Sequence, residues 1–372
     1  MKILVTGAYG FIGKNLIAHL KKIPTIEIIY FSKSDTIIDL QSKISQADAV
    51  FHLAGVNRPI ADDEYITGNY HLTKILCQLV EQENRLIPVI FTSSIQSSLD
   101  NPYGNSKWQA EQSLLDLHKK TGTPVYIFKL PNVFGKWSKP NYNSVVSTFC
   151  YNIAHDIPIT INDRNKSITI VHIDDVIAQF QKVLIEAPSQ QIFDTINPVY
   201  SITIGQLAEK ITQFKKSRIS LNVGSVGVGL DRALYSTYLT FLPETDFQYT
   251  IPSHKDPRGI FVEMLKTPES GQVSFFTAPP GITRGEHFHH TKSEKFLVVK
   301  GRAKFRFRHI IDLRYFEIIT TCSIPTIVET IPGWSHDITN MGADEMIVML
   351  WANEIFNPEY PDTYYTPIGT EL

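Results

Sequence analysis

Short apolar runs alternate with segments of helical periodicity through the first two-thirds of the chain. Lys2-Ile3-Leu4-Val5-Thr6 predicts a short buried strand. Ile12, Leu16, Ile17 and Leu20 then recur on one face of a helix over residues 11–21. Further strands are predicted at residues 26–31, 49–53, 87–92 and 125–130, with a helix over residues 72–83 and another before the last strand. Strands alternating with helices imply a doubly wound parallel sheet of Rossmann type, covered on both faces and built with right-handed connections.

The pattern changes after residue 245. Pro243, Pro252 and Pro257 fall close together, and helical periodicity nearly vanishes beyond them. Short β-type runs follow at residues 259–265, 272–277, 295–299, 303–308, 315–320 and 345–351, separated by turn residues such as Ala278-Pro279-Pro280-Gly281. This spacing predicts a small antiparallel barrel or jelly roll. The chain is accordingly divided into an α/β domain over residues 1–247 and an all-β domain over residues 248–372. Six of the twelve histidines lie at or beyond position 254.

Composition narrows the function. The chain has 372 residues, of which 43% are apolar, and its net charge is −2. That balance does not favour nucleic acid or an anionic membrane as partner. No apolar run reaches the roughly 18 residues of a membrane helix. The N-terminus begins like a signal peptide, but three glycines interrupt it by position 13. Three cysteines without a CxxC pair predict a reducing, cytoplasmic setting.

The first strand runs into Thr6-Gly7-Ala8-Tyr9-Gly10-Phe11-Ile12-Gly13, and a helix follows. Glycines there permit a tight turn and let backbone approach a pyrophosphate, to which the helix N-terminus offers N–H groups and a positive dipole. Gly7, Tyr9, Gly10, Phe11, Ile12 and Gly13 are therefore candidate cofactor residues. The second strand ends in Tyr30-Phe31-Ser32-Lys33-Ser34-Asp35, with no acid at the strand end to hold ribose hydroxyls. Ser32 and Lys33 could hold a 2′-phosphate, which favours NADPH over NADH. Asp39 and Leu40 are placed within reach of the adenine.

Ser94, Tyr103 and Lys107 form a second constellation. Tyr and Lys four apart share a helix face. An ammonium beside a phenol favours the phenolate, so the phenol should ionise below its usual value of about 10. Such a tyrosine can exchange a proton with a carbonyl or carbinol oxygen, and Ser94, near the end of a strand, can bind the same oxygen.

These stretches, with His52-Leu53-Ala54-Gly55 and Pro131-Asn132-Val133-Phe134-Gly135, resemble the extended short-chain dehydrogenase/reductases over about residues 1–245. The resemblance implies a Ser94, Tyr103 and Lys107 catalytic set acting on nucleotide-activated sugars. Leu53, Ala54 and Gly55 would line the cofactor, and Asn69 would match the family's buried Asn. Asn132 and Arg164 are its substrate candidates. The chain departs from the family in three places: only eight residues separate Ser94 from Tyr103, Lys129 and Phe134 replace the frequent Arg and Tyr, and the Arg often found before His172-Ile173-Asp174-Asp175 is missing. The 4,6-dehydratases of the family carry Asp-Glu after the catalytic hydroxyl, whereas Ile95-Gln96 follow Ser94 here. That disfavours dehydration and leaves a reductase or an epimerase.

In the β-rich part, His287 and His289 are two apart on a strand and point to one face. Glu294 can return from the following turn, and His336 can join from a distant strand. Three imidazoles and a carboxylate suit Zn²⁺, Ni²⁺, Mn²⁺ or Fe²⁺, with zinc the leading candidate. The spacing resembles the cupins over about residues 250–372. The stretch Asp256-Pro257-Arg258-Gly259-Ile260-Phe261-Val262-Glu263 resembles the dTDP-sugar 3,5-epimerases, making Arg258 and Glu263 substrate candidates. In those epimerases the matching histidine is the base. As a metal ligand His287 cannot play that part, so a metal would polarise the keto oxygen instead.

An extended reductase joined to a cupin is similar to the bifunctional capsule enzymes of UDP-N-acetyl-L-fucosamine synthesis, on stretches that include Ala54-Gly55-Val56-Asn57-Arg58-Pro59 and Asn162-Asp163-Arg164-Asn165. Arg58 becomes a further substrate candidate. The resemblance implies that the cupin epimerises carbon 3 of a UDP-2-acetamido-2,6-dideoxy-4-hexulose. The N-terminal domain would reduce the 4-keto group with NADPH to a UDP-N-acetyl-6-deoxy-L-talosamine, in a homodimer. Two alternatives stay open: a single-activity reductase or 4-epimerase with a structural cupin, and a non-catalytic NADPH-sensing scaffold.

Overall fold

A computed structural model describes the chain apart from residues 187–192, 253, 257–258, 262–263, 266, 268–270, 355–356 and 370–372. Arg258 and Glu263 thus lie outside the described residues. Two compact units are present: residues 1–144 with 168–202, and residues 145–167 with 203–372. The grouping differs from a single cut at 247/248, because the helices between residues 203 and 247 go with the β-rich part.

The first unit is built on β1 (Lys2–Thr6), α1 (Phe11–Leu20), β2 (Glu27–Phe31), α2 (Ile37–Gln46), β3 (Ala49–His52), α3 (Leu72–Gln82), β4 (Val89–Ser94), α4 (Pro102–Thr121) and β5 (Val125–Leu130). These strands form a parallel sheet in the order β2-β1-β3-β4-β5, with Phe193–Asp194 added at the β5 edge. Every residue of β3 and β4 is buried, as expected where helices cover both faces. One face packs Leu4, Val50, Phe91 and Ile127 against Leu40, Leu76 and Leu114. The other packs Val5, Phe51 and Phe128 against Leu16, Ile177 and Phe180. The strand order reverses between β1 and β3, and ligands of open α/β sheets bind outside the strand ends at such a switch point.

The second unit carries the helices Val145–Ala154, Ile204–Ser220 and Gly229–Leu239 beside two antiparallel five-stranded sheets. The strands that matter below are Thr283–Phe288, Glu294–Lys300, Arg302–His309 and Trp334–Asn340. The inner faces of the two sheets meet through Phe296 and Phe305, whose ring centroids are 5.7 Å apart. The expected strands at 272–277, 295–299, 303–308, 315–320 and 345–351 are present within a residue or two of those bounds. The strand expected over 259–265 is recorded as Gly259–Phe261. Thr283–Phe288 and Trp334–Asn340 were not expected in full. His287, His336 and Asn340 interrupt the apolar positions of these strands, which weakens the alternation that marks a strand.

Candidate active site and metal centre

Gly7 stands at φ +66°, and a Cβ there would lie 2.7 Å from the Ala54 nitrogen. A Cβ on Gly13 would lie 2.3 Å from the Gly7 carbonyl. The turn from β1 to α1 is therefore closed to side chains at these two positions, and Gly10 N–H bonds back to the Gly7 carbonyl at 2.9 Å. Gly10 caps α1 without a side-chain bond, which leaves the first N–H groups of the helix for a ligand. Tyr9 is exposed and stacks on Tyr30 at 6.1 Å, while Phe11 and Ile12 are half-buried.

Thr6 ties this turn to the end of β3. Its hydroxyl accepts from Leu53 N–H and Ala54 N–H, each at 3.1 Å, and bonds His52 Nδ1 at 2.8 Å. His52 Nε2 meets the Thr73 hydroxyl at 2.8 Å, and that hydroxyl donates to the Asn69 carbonyl at 2.6 Å. The Thr73 proton is thus committed, so His52 donates from Nε2 and accepts from Thr6 at Nδ1. Burial, with nearby Lys107 adding to it, pushes the His52 imidazole down to about 3 and keeps it neutral.

Asp39 and Leu40 lie on α2 with their side chains in different surroundings. Leu40 is fully buried in the core, and Asp39 spends its carboxylate on the Thr36 backbone and hydroxyl as a capping box of α2. The Leu40 side chain is thus corrected: an apolar position at helical spacing is core here and not free to meet adenine. Ser32 donates from its backbone and hydroxyl to Asp35, whose charge is met by Lys43. Lys33 is exposed beside them.

The eight-residue connection between Ser94 and Tyr103 is a compact turn. Ser94 Oγ accepts from Gln96 N–H at 3.1 Å and starts a 3-10 turn over Ile95–Ser98. Asn101 then caps α4, accepting from Gly104 N–H at 2.8 Å, with Pro102 in the first turn. This brings Tyr103 into hydrogen-bonding reach of Ser94. Lys107, one turn on, is buried, and its Nζ donates to the Thr92 carbonyl at 3.0 Å. Asn69, in a π-helical turn over Ile66–His71, holds Val56 N–H at 2.8 Å and donates to Ser106 Oγ at 3.0 Å. A Cβ on Gly55 would lie 2.8 Å from Asn69 Oδ1 and 3.3 Å from Lys107 Nζ. Gly55 thus lets the backbone approach these two side chains closely.

The electrostatics differ from the expectation in one respect. The Tyr103 phenol lies above its ordinary value, because burial outweighs the Ser94 hydrogen bond. The Lys107 ammonium is pushed down to about 8 by burial, against the raising effect of Glu111. Glu111 was missed in the sequence. It is buried one turn beyond Lys107, accepts from the Ser93 hydroxyl, and pairs with Lys129 at 3.2 Å. The four-residue spacing from Lys107 was the available signal.

The described substrate candidates are each engaged locally. Arg58 is exposed and lies 5.9 Å from the Tyr142 ring centroid. Asn132 is exposed and donates to the Thr169 carbonyl at 3.1 Å. Arg164, in the second unit, pairs with Glu209 at 2.5 Å.

In the second unit, His287, His289, Glu294 and His336 converge, with ligand atoms all within 4.8 Å of one another. His287 closes a strand whose register shifts between Gly285 and His287, and Glu286 takes φ +59° there. His289 lies just past that strand, and Glu294 opens the next strand instead of sitting in the turn before it. Ring centroids are 5.0 Å apart for His287 and His289 and 4.7 Å for His287 and His336. His287 Nδ1 faces the Gly285 carbonyl at 3.1 Å, and His289 Nδ1 faces the Asp362 carbonyl at 2.6 Å. A carbonyl only accepts, so both rings carry hydrogen on Nδ1 and aim Nε2 inward. His289 Nε2 is 3.1 Å from Glu294.

The donor set fits a divalent cation. His336 Nε2 is buried 3.4 Å from Glu294 Oε2, and it makes no hydrogen bond among the described residues. Burial, then the neighbouring His336 and His289, push the His287 imidazole down to about 3. Burial also lowers His336. Burial pushes Glu294 up, but the His289 and His336 rings outweigh it and hold the carboxyl well below its usual range. Uncharged imidazole at His287 and His336 with an ionised carboxylate is the protonation state a metal requires.

A Rossmann-type unit with Ser94 at the end of β4 and Tyr103 and Lys107 on α4, on one chain with a histidine-rich antiparallel sandwich, defines a two-part nucleotide-dependent enzyme class. Residues 3–197 match the NAD dependent epimerase/dehydratase family, and residues 254–364 match the polysaccharide biosynthesis C-terminal domain. The chain is 55% identical over 369 residues, 99% of each protein, to UDP-2-acetamido-2,6-beta-L-arabino-hexul-4-ose reductase of Pseudomonas aeruginosa. It aligns with the crystal structure of the capsular polysaccharide assembling protein CapF from Staphylococcus aureus at 40% identity and TM-score 0.69, over 99% of this chain and 100% of that one. A UDP-glucuronic acid 4-epimerase from Bacillus cereus, bound to NAD, shares the fold at 21% identity and TM-score 0.52, over 58% of this chain and 84% of that one. The chain belongs to the NAD dependent epimerase/dehydratase family, which implies a nicotinamide cofactor. No helix among the described residues is long and apolar enough to cross a membrane.

Proposed function

We propose that this chain is a bifunctional UDP-sugar enzyme, working in the cytoplasm as a homodimer. The α/β part reduces the 4-keto group of a UDP-2-acetamido-2,6-dideoxy-4-hexulose with NADPH, and the β part, read as a metal-dependent cupin, inverts carbon 3. The observation that carries the reading is the placement of Tyr103 against Ser94, with Lys107 buried one turn further along α4, in a chain 55% identical throughout to a hexulose 4-reductase.

NADPH, when bound, supplies the hydride. Tyr103 gives its proton to the oxygen at carbon 4, and its raised ionisation keeps it protonated for that step. Ser94 donates a hydrogen bond to the same oxygen. Lys107 stabilises the phenolate that remains and holds the cofactor's ribose. Gly7, Gly10, Gly13 and α1 receive the pyrophosphate, Leu53, Ala54 and Gly55 line the nicotinamide side, and Lys33 meets the 2′-phosphate.

His287, His289, Glu294 and His336 would hold the divalent ion, zinc foremost, and the ion would supply Lewis-acid stabilisation of an enolate. The carbon next to a ketone loses its proton only if that charge is stabilised. Incubating the protein with the UDP-4-ketosugar and NADPH in heavy water tests both halves. NADPH consumption with deuterium at carbon 3 of the product is expected. Neither consumption nor exchange would overturn the proposal.

A further inference from the structure

We propose that Asp362 is the positioning residue of the metal centre, latching the loop that carries His289 so that Nε2 of that ring faces the ion. The inference rests on the metal reading above.

Asp362 lies 73 residues from His289 yet is bonded all around it. Its carboxylate accepts three backbone N–H groups in succession, from His290 at 2.9 Å, Thr291 at 2.9 Å and Lys292 at 2.8 Å. The Thr291 hydroxyl adds a bond at 3.0 Å, and Arg232 stands 3.5 Å away. The Asp362 carbonyl takes the His289 Nδ1 hydrogen at 2.6 Å. The same residue thus grips the backbone after His289 and fixes the tautomer of its ring. Lys292 closes the latch from the other side, donating to the Thr363 hydroxyl at 2.7 Å.

Asp362 adopts φ +37°, a left-handed conformation that Asp and Asn tolerate better than most residues. A residue held in this conformation by five side-chain and backbone bonds is over-determined by its surroundings. Partners that orient ligating histidines commonly contribute tenfold to hundredfold in metal affinity.

The test measures Zn²⁺ affinity of the full chain by chelator competition, for the wild type, Asp362→Ala and Asp362→Asn. Asp362→Ala should bind Zn²⁺ about 10- to 100-fold more weakly, with an unchanged far-UV circular dichroism spectrum. Wild-type affinity in that variant would overturn the proposal. Should the alanine variant not fold, Asp362→Asn decides. It keeps the size and the tolerance of the left-handed backbone but sets an NH₂ group among N–H donors, so it too should lose at least tenfold, and wild-type affinity there overturns the proposal. A tautomer readout separates positioning from general loosening. In the Zn²⁺-loaded wild type, the ¹⁵N-coupled Nδ1 proton of His289 should exchange slowly with solvent, and in the variants rapidly. Equal exchange in both would overturn the latch. A wild type that takes up no Zn²⁺ would instead overturn the metal reading itself.

Discussion

Lys107 and Glu111 lie one turn apart on the buried face of α4, so a carboxylate sits behind the ammonium of the proposed catalytic set. Burial lowers Lys107 to about 8 and Glu111 works against that fall. Reduction should therefore weaken as pH rises through about 8, when Lys107 loses its charge. Glu111→Gln removes the opposing effect, and the basic limb should move down by about one pH unit. The pH profile of kcat/KM for NADPH oxidation reads this, and superimposable profiles would dissociate Glu111 from the lysine.

The same burial has a stability consequence of defined sign. The folded value of Lys107 lies below its ordinary value of 10.5, so between about pH 8 and 10.5 the unfolded chain binds more protons and stability rises with pH. At neutral pH the buried ammonium costs on the order of 3 kcal/mol. Lys107→Met removes that cost while leaving the Thr92 carbonyl without its donor, which costs about 1–3 kcal/mol. The variant should be as stable as the wild type or firmer by about 1 kcal/mol, while losing at least about a hundredfold in reduction. A clearly lowered Tm would show that Lys107 is mainly a structural residue.

Tyr103→Phe separates the two proposed reactions. Removing the hydroxyl removes the proton donor and leaves the ring that packs near Tyr65. NADPH oxidation should fall by about 10²- to 10⁴-fold. Deuterium uptake at carbon 3, followed by NMR, should be unchanged. Loss of both would place both reactions in one site.

Removing the metal makes the converse cut. Chelation, or His287→Ala, takes away the ion that the cluster of three imidazoles and Glu294 is proposed to hold. Exchange at carbon 3 should collapse, and substrate already inverted at carbon 3 should still be reduced. Exchange that survives chelation and His287→Ala would leave the cluster without the proposed chemistry.

Local geometry is legible in the sequence wherever the chain solves a local problem. The glycine turn, the Tyr103 and Lys107 spacing and the paired His287 and His289 each follow from the geometry of one turn, helix or strand end. Long-range relations were not legible. Nothing near His289 points to Asp362, and Leu40 looked available to adenine because a helical apolar position reads the same whether it meets a ligand or the core. The phenol of Tyr103 shows the same limit. Its neighbour Lys107 argued for a lowered value, but the depth of burial, a tertiary property, sets the direction.

The glycine turn offers the most local of these tests. A methyl group on Gly13 would stand 2.3 Å from the Gly7 carbonyl and 2.8 Å from the Ala8 carbonyl. Both atoms are backbone, and Gly7 O already accepts the Gly10 N–H bond at 2.9 Å, so relief requires opening the turn. Gly13→Ala should destabilise the first unit by about 1–3 kcal/mol and weaken NADPH binding by more than tenfold, because the N–H groups of α1 no longer converge on the pyrophosphate. Zn²⁺ uptake by the second unit, measured on the same sample, should not change. Fluorescence titration with NADPH and a thermal melt check both expectations, and wild-type NADPH affinity in Gly13→Ala would remove this turn from the cofactor site.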